Sequence, residues 1–364
     1  YALSMFKDWD GNMMNNAKQP ATFYGWDEIG FVYAKADGSD FESILDSDSA
    51  YVRNLRFFYE ANQLGIMDPE STTQNYDTLF SKYQNGQVLF SWWPWQGQSA
   101  FNTTDNVNAG KGFMIAPLQD MNVFSYGAEP FGGKQVMAIG SKAEDPERVA
   151  AFLDWLYSPE GTYSNNSQTM GAAGPQGLTW DVNADGAPEL TEFGMEALVG
   201  GGATVPEEWG GGTYEDGASW LNTTLVLPID IDENTGAPFS YKMWETFQAA
   251  TTNPLIEDWS AQMGGAPTTM DYLKAEDKVM VAPGASYTAP ADSSEIETLR
   301  NQVKAIIVQE SWKMSFASSD AEFESLLAGM QETAKGLGYD QVLEVDMANA
   351  KEQDALRQES AAGA

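Results

Sequence analysis

Along this chain apolar positions recur with two periods, one helical and one extended. Val52, Leu55, Phe58 and Tyr59 fall on one helical face behind the capping pair Asp48-Ser49, and Gly65 stands where that helix should end. A second helix is predicted over 75–84. A third starts at Asp145-Pro146-Glu147-Arg148, where an aspartate cap precedes a first-turn proline, and runs to Tyr157 with Trp155 on its inner face. Near the C-terminus Ser293-Ser294 precede Ile296, Leu299, Val303, Ile306 and Ile307, and further helices are predicted over 321–338 and 340–358. Short apolar runs over 1–6, 29–33, 87–91, 113–117 and 136–140 read as strands, and Asp37-Gly38 as a turn. The alternation of helix and strand predicts an α/β fold. After Gly161 the texture changes: Gly200-Gly201-Gly202 and Gly210-Gly211-Gly212 bracket a long surface excursion around Trp209.

The strand over 87–91 delivers Trp92-Trp93-Pro94-Trp95. Pro94 ends the strand and fixes a turn. Flat indole faces at a strand end suit a ligand that is apolar on one face and polar at its edges, such as a sugar ring. The alternative for each ring taken singly is that it fills core.

Three elements together, the helix-Gly-strand leading to Trp92-Trp93-Pro94-Trp95, the strand over 136–140, and the helix Ala151-Phe152-Leu153-Asp154-Trp155-Leu156-Tyr157 closed by Ser158-Pro159-Glu160-Gly161, resemble the extracellular solute-binding proteins of ABC importers. The likeness is greatest to the carbohydrate-binding lipoproteins of Gram-positive bacteria, and it covers the chain to about residue 175. It implies a type II periplasmic-binding-protein fold of two lobes joined by a hinge, near 129–133. It also implies that a lipoprotein signal and the opening of the first lobe precede Tyr1, so that the first lobe is largely missing from an N-terminally truncated chain. On that footing residues 1–127 belong to the second lobe, 128–175 return to the first, and 176–364, mainly second lobe, carry a calcium loop, glycine-rich loops and C-terminal helices. The family places cleft-facing aromatic and acidic residues after the first strand. Trp9 is therefore expected to stack on a ligand with Asp8 or Asp10 accepting from its hydroxyls, alongside Trp92, Trp93 and Trp95. The implied partners are an oligosaccharide and an ABC permease, with the protein a monomer held at the cell surface by a lipid anchor outside this chain.

Composition narrows the chemistry. With 53 acidic and 19 basic residues the formal charge is −34, a field that repels nucleic acid and anionic lipid. Cysteine and histidine are both absent, which removes disulfides, thiolate nucleophiles and imidazole bases, and with them Ser-His-Asp and Cys-His catalysis. The absence of cysteine also fits a secreted Gram-positive protein. A two-carboxylate glycoside hydrolase stays compatible with this composition, although nothing in the sequence marks an acid–nucleophile pair. So does a calcium-stabilised carbohydrate-binding or adhesion module. A non-enzymatic receptor is the expectation.

The sharpest local motif runs from Asp181 to Glu192. Asp181, Asn183 and Asp185 hold positions one, three and five of the twelve-residue calcium template, and Gly186 makes the turn. Ala187 offers a carbonyl at position seven, Glu189 acts at nine, and Glu192 closes position twelve. Calcium needs six to eight hard oxygens, which a tight loop supplies from alternate positions. The competing reading is a metal-free Asx turn. If calcium fixes the loop, it also fixes Trp180 beside it, a further ligand-stacking candidate. Asp230-Ile231-Asp232-Glu233-Asn234-Thr235-Gly236 departs from the template and reads as a polar turn.

Overall fold

The structure, a computed structural model, describes residues 1–126, 137–165, 171–200, 202–217, 230–284 and 287–363. The chain divides into two compact units, Tyr1–Phe131 with Asn253–Ala364 and Gly132–Thr252. Everything from Asn253 onward packs with the N-terminal part. The expected hinge at 129–133 lies outside the described residues.

In chain order the first unit opens with a three-stranded antiparallel sheet, β1 (Trp26–Ile29), β2 (Val32–Lys35) and β3 (Phe41–Ser43). It continues with helices α1 (Ala50–Gln63), α2 (Tyr76–Gln84) and α3 (Pro94–Phe101), then strand β4 (Val123–Tyr126). The second unit contains α4 (Pro146–Leu156) and the hairpins β5–β6 (Trp180–Val182, Pro188–Leu190) and β7–β8 (Ile231–Asp232, Ala237–Pro238). The chain then re-enters the first unit with α5 (Pro254–Gln262), β9 (Val279–Ala282), α6 (Ser294–Ser315), α7 (Asp320–Gly336) and α8 (Tyr339–Gly363). Strand β9 lies parallel to β4. Among the described residues no helix is long and apolar enough to cross a membrane.

The helices form where caps and periodicity place them. The Ser49 side chain accepts from Val52 N at the head of α1, Asn75 from Thr78 N at α2, Asp145 from Arg148 N at α4 and Ser293 from Ile296 N at α6. Val52, Leu55, Phe58 and Tyr59 are all buried, in one core cluster with Val303 and Ile307 of α6 and Phe323 and Leu327 of α7. Pro94 does not end a strand: it occupies the first turn of α3, where its missing N–H costs nothing.

The strand expectations fare less well, for identifiable reasons. Residues 29–33 are split by Gly30, whose φ of 61° turns the chain so that Ile29 faces Val32 across a hairpin. Residues 1–6 are extended and bonded on two sides, Ala2 N to Ile66 O and Phe90 N to Ala2 O (each 3.0 Å), yet they form an isolated bridge instead of a ladder. The 87–91 segment is the partner on one of those sides. Residues 113–117 are not a strand because the Asn102 side chain takes both polar groups of Phe113, donating to its carbonyl at 2.9 Å and accepting from its N–H at 2.7 Å. Ala138 to Gly140 are exposed and irregular, and Val136 lies outside the described residues. Trp155, expected in the core, is half-buried and stacks on Phe152 at 5.9 Å.

One buried carboxylate ties the two ends of the first unit together. Asp346 on α8 accepts the Phe31 N–H at 2.8 Å and two bonds from the Arg300 guanidinium on α6, also at 2.8 Å. Asp292 holds the other side of Arg300. Burial alone would weaken the Arg300 charge, but the two carboxylates outweigh it and hold its pKa above the ordinary value. A second buried pair, Arg357 with Asp27 at 3.1 Å, repeats the link one helical stretch further on. Any Cβ at Gly30 would collide with the Asp346 carboxylate, so this position requires glycine twice over, for its φ and for this approach. Asp346→Ala is expected to lower unfolding stability by about 3 kcal/mol, because it strips a partner from Arg300 and orphans the Phe31 amide. Urea unfolding followed by circular dichroism measures it; a wild-type midpoint would show that the core holds the two ends without this link.

Candidate functional site

The aromatic residues of the first unit form a layered cluster. At its base lie Phe6 and Trp93, both buried, with ring centroids 5.5 Å apart. Above them are Trp9, Tyr76 and Trp95. The Trp9 ring stacks on Tyr76 at 4.9 Å with an interplanar angle of 26°, and meets Phe6 and Trp93 edge-on at 4.8 and 5.6 Å. Trp95 stands 6.1 Å from Trp9 and 6.3 Å from Tyr76 at shallow tilts. Trp9 is 41% exposed and Trp95 46%, so two indoles are propped in solvent on a rigid aromatic base. Isolated exposed apolar side chains are ordinary; converging ones on a fixed support mark a place where something docks.

The sequence places each ring. Tyr76 is the first residue of α2, and Asp8 Oδ2 accepts its N–H at 2.8 Å, so the residue before Trp9 fixes the helix that carries Trp9's stacking partner. Trp95 follows the first-turn proline of α3 and therefore sits on the exposed opening turn. Asp10 pins the far end of the same loop: Oδ1 accepts from Asn15 N at 2.8 Å and Oδ2 from the Trp312 indole N–H at 2.6 Å. Burial raises its pKa, and those two bonds oppose the rise.

These positions revise several expected roles. Trp9 and Trp95 expose their rings. Trp92 is 3% exposed and packs against Phe58 at 5.2 Å, so it is core. Trp93, at 7% exposed, supports the layer above it and offers no free face. Asp8 and Asp10, expected to receive ligand hydroxyls, are engaged in holding the protein's own backbone and an indole. Tyr76 belongs to the platform and was not anticipated. Its place after a helix-capping asparagine was the available signal, but nothing in the sequence links position 76 to position 9.

In the second unit Trp180 is also core. It is buried with Tyr163 and Trp244, at centroid distances of 4.5 and 5.5 Å, and its indole N–H donates to Gly174 O at 3.0 Å. The segment that follows is the β5–β6 hairpin, with Asp181 opposite Glu189. Asn183 Oδ1 accepts from the N–H groups of Asp185 and Ala187, both at 3.0 Å, which is an Asx turn. The Gln176 amide and the Val182 N–H hold the Asp181 carboxyl below its ordinary pKa. Asp181, Asn183 and Glu189 share one face of the hairpin, where the Asn183 amide N–H donates to Glu189 Oε2 at 3.3 Å. The Ala187 carbonyl accepts from Asn183 N, and Glu192 opens the next helix behind its Thr191 cap. Among the described residues no three acidic side chains are gathered into a cation cage. The second candidate loop is a polar turn as expected: Asp232 Oδ1 accepts from Asn234 N at 3.0 Å, and Gly236 turns at φ 69°.

Comparison with known proteins gives fold-level likeness only. No family model matches the chain, and no curated protein matches it. Among solved structures it is similar to an HMO-binding ABC-transporter-associated solute-binding protein from Bifidobacterium longum infantis, with 11% identity and a TM-score of 0.51 over 95% of this chain and 64% of that one. It is also similar to the S. pneumoniae ABC-transporter substrate-binding protein FusA, as an EF-hand mutant in complex with fructo-nystose, with 12% identity and a TM-score of 0.46 over 96% and 63%. The chain thus spans less than two thirds of the length of either structure. The fold is the α/β fold of a solute-binding protein.

The layered cluster predicts a split in stability. Trp93→Ala is expected to cost about 3–5 kcal/mol through lost burial and a cavity. Trp9→Ala and Trp95→Ala, which remove half-exposed rings, should each cost about 1 kcal/mol or less. Urea midpoints for the three variants decide it; equal losses in all three would show that the outer rings are structural.

Proposed function

We propose that this protein is a non-enzymatic saccharide receptor that supplies an ABC permease, with Trp9, Tyr76 and Trp95 stacking on sugar rings. The observation that carries the reading is the exposure of two converging indoles on a rigid aromatic base. Pyranose faces are rich in C–H groups, and a flat π-surface covers them well, leaving the hydroxyls at the ring edge for polar partners. Separate rings at 5–6 Å spacings suit consecutive sugar units better than a single one, which favours an oligosaccharide. Beside Trp9, both oxygens of Asp10 and one of Asp8 accept internal bonds, which favours binding over two-carboxylate hydrolysis. The HMO-binding solute-binding protein that this chain resembles in fold accords with the same substrate class. The cellular setting proposed is extracytoplasmic, as a monomeric cell-surface lipoprotein of a Gram-positive bacterium.

Intrinsic tryptophan fluorescence, titrated with a panel of oligosaccharides, tests the reading. A saturable shift is expected with at least one sugar. Trp95→Ala should weaken it about tenfold, the scale of one lost stacking contact. No saturable shift with any sugar, in folded protein, would remove the saccharide assignment. Cleavage of an aryl glycoside would replace the receptor by a hydrolase.

We also propose that the loop from Asp181 to Glu192 takes a structural calcium ion, with Asp181, Asn183, Asp185, the Ala187 carbonyl, Glu189 and Glu192 as donors. The ion would supply fixed positive charge and cross-link the hairpin to the following helix; it has no chemical role. Calcium at a hundredfold excess over its dissociation constant should stabilise the protein by about 2.7 kcal/mol. Terbium, a luminescent stand-in, should be sensitised by the adjacent Trp180, and Asp185→Asn should abolish both effects. An unchanged melting temperature in millimolar calcium, together with silent terbium, would leave the Asx turn as the loop's whole content.

A further inference from the structure

A cavity of about 660 Å³ opens in the first unit between the loop that carries Trp9 and one side of α6. That volume lies within the range of about 300–1,000 Å³ typical of small-ligand sites. Lys7 forms one wall. Lys304, Val308 and Trp312 form the other, each one helical turn beyond the last, with Phe316 continuing the row. Lys313 stands at the edge, tied to Glu310 at 2.7 Å.

The charge at this place runs against the rest of the molecule. The chain has 53 acidic residues to 19 basic ones, yet three lysines and a single carboxylate line this cavity. That carboxylate is Asp10, whose two oxygens already accept from Trp312 Nε1 and Asn15 N. Lys18, Arg56, Lys82, Arg300, Lys313 and Arg357 each lie against a carboxylate. Lys7 and Lys304 form no ion pair among the described residues. The Lys7 ammonium lies 5.0 Å from the centroid of the Trp312 ring, a cation–π contact that parks it at the cavity wall. Three lysines gathered around one carboxylate that is already hydrogen-bonded, beside apolar side chains that strengthen their field, form an anion site with an apolar floor.

We propose that this cavity binds a small organic carboxylate with an apolar body. Lys7 and Lys304 take the carboxylate, and Val308, Phe316 and the edge of Trp312 take the body. An inorganic anion would leave the apolar wall unused, and a neutral apolar molecule would leave two ammonium groups facing an uncharged guest. The site is separate in its chemistry from the saccharide platform and does not rest on that assignment.

The test is calorimetric titration of the full chain at low ionic strength with 3-phenylpropanoate and with its uncharged isostere 3-phenylpropanamide. The acid should bind at least about tenfold more tightly than the amide. Lys304→Gln, at a half-exposed position where glutamine is a good helix former, should reduce that preference about tenfold, and Lys7→Gln should do the same. Trp95→Ala should leave it unchanged. Equal binding of acid and amide, a preference that survives both lysine substitutions in folded protein, or no saturable heat at millimolar ligand would each overturn the proposal.

Discussion

The first unit depends on one buried carboxylate. Its halves are far apart in sequence, residues 1–131 and 253–364, and no local turn joins them. Asp346 does so with directional bonds, reading the Phe31 amide in the first hairpin and both nitrogens of Arg300 in α6. Apolar burial around Leu55, Val303 and Phe323 supplies attraction without direction; it would tolerate several orientations of α8 against the hairpin. The carboxylate selects one, since the donors arrive from two elements and Gly30, lacking a Cβ, leaves the room it needs to reach them. Ion pairs of this kind add little net stability over an apolar core, and their effect lies in fixing geometry.

The aromatic platform inherits that order. Asp10 anchors the loop bearing Trp9 to the indole of Trp312 on α6, and α6 is the helix whose Arg300 meets Asp346. The loop's other end is held by Asp8 on the first amide of α2. Trp9 is thus clamped on both sides by carboxylates acting on backbone or indole N–H groups, with Phe6 and Trp93 beneath it. A ring so fixed loses little conformational freedom when a ligand covers it, and low ordering cost is what lets an exposed indole contribute to affinity.

Which parts were legible in the sequence follows from how local their causes are. Helices announced themselves because a capping residue and a periodic face lie within one stretch: Ser49, Asn75, Asp145 and Ser293 each accept an amide of the first turn. Strands did not, because a strand exists only through its partner. The 113–117 run has suitable residues, but its polar groups go to the Asn102 side chain and, at Ile115, to the Trp259 indole. The same limit applies to the site. The tryptophan-rich turn pointed to the aromatic cluster, whereas the sorting of Trp92 and Trp93 into the core and Trp95 into solvent depends on Phe58 and Phe6, which no spacing relates to them. Asp8 and Asp10 were noticed for their position beside Trp9; their work on Tyr76 and Trp312 spans 68 and 302 residues and leaves no local trace.

Charge distribution sharpens the same lesson. A net −34 offers every cation an excess of carboxylates, and among the described residues six of the 19 cations lie within ion-pair distance of one. Those pairs fall at structural seams: Lys82 against the buried Asp68, which also accepts from Ser4, and Arg357 against Asp27 under α8. Lys7 and Lys304 have no such seam to hold. Lys7 spends its charge on the face of Trp312, the residue that also fixes Asp10, so the loop that presents Trp9 on one side presents an ammonium group on the other. A single short segment, Lys7 to Gly11, therefore carries both an exposed indole and a cation into two chemically different surroundings, and its conformation is set by bonds that neither of them makes.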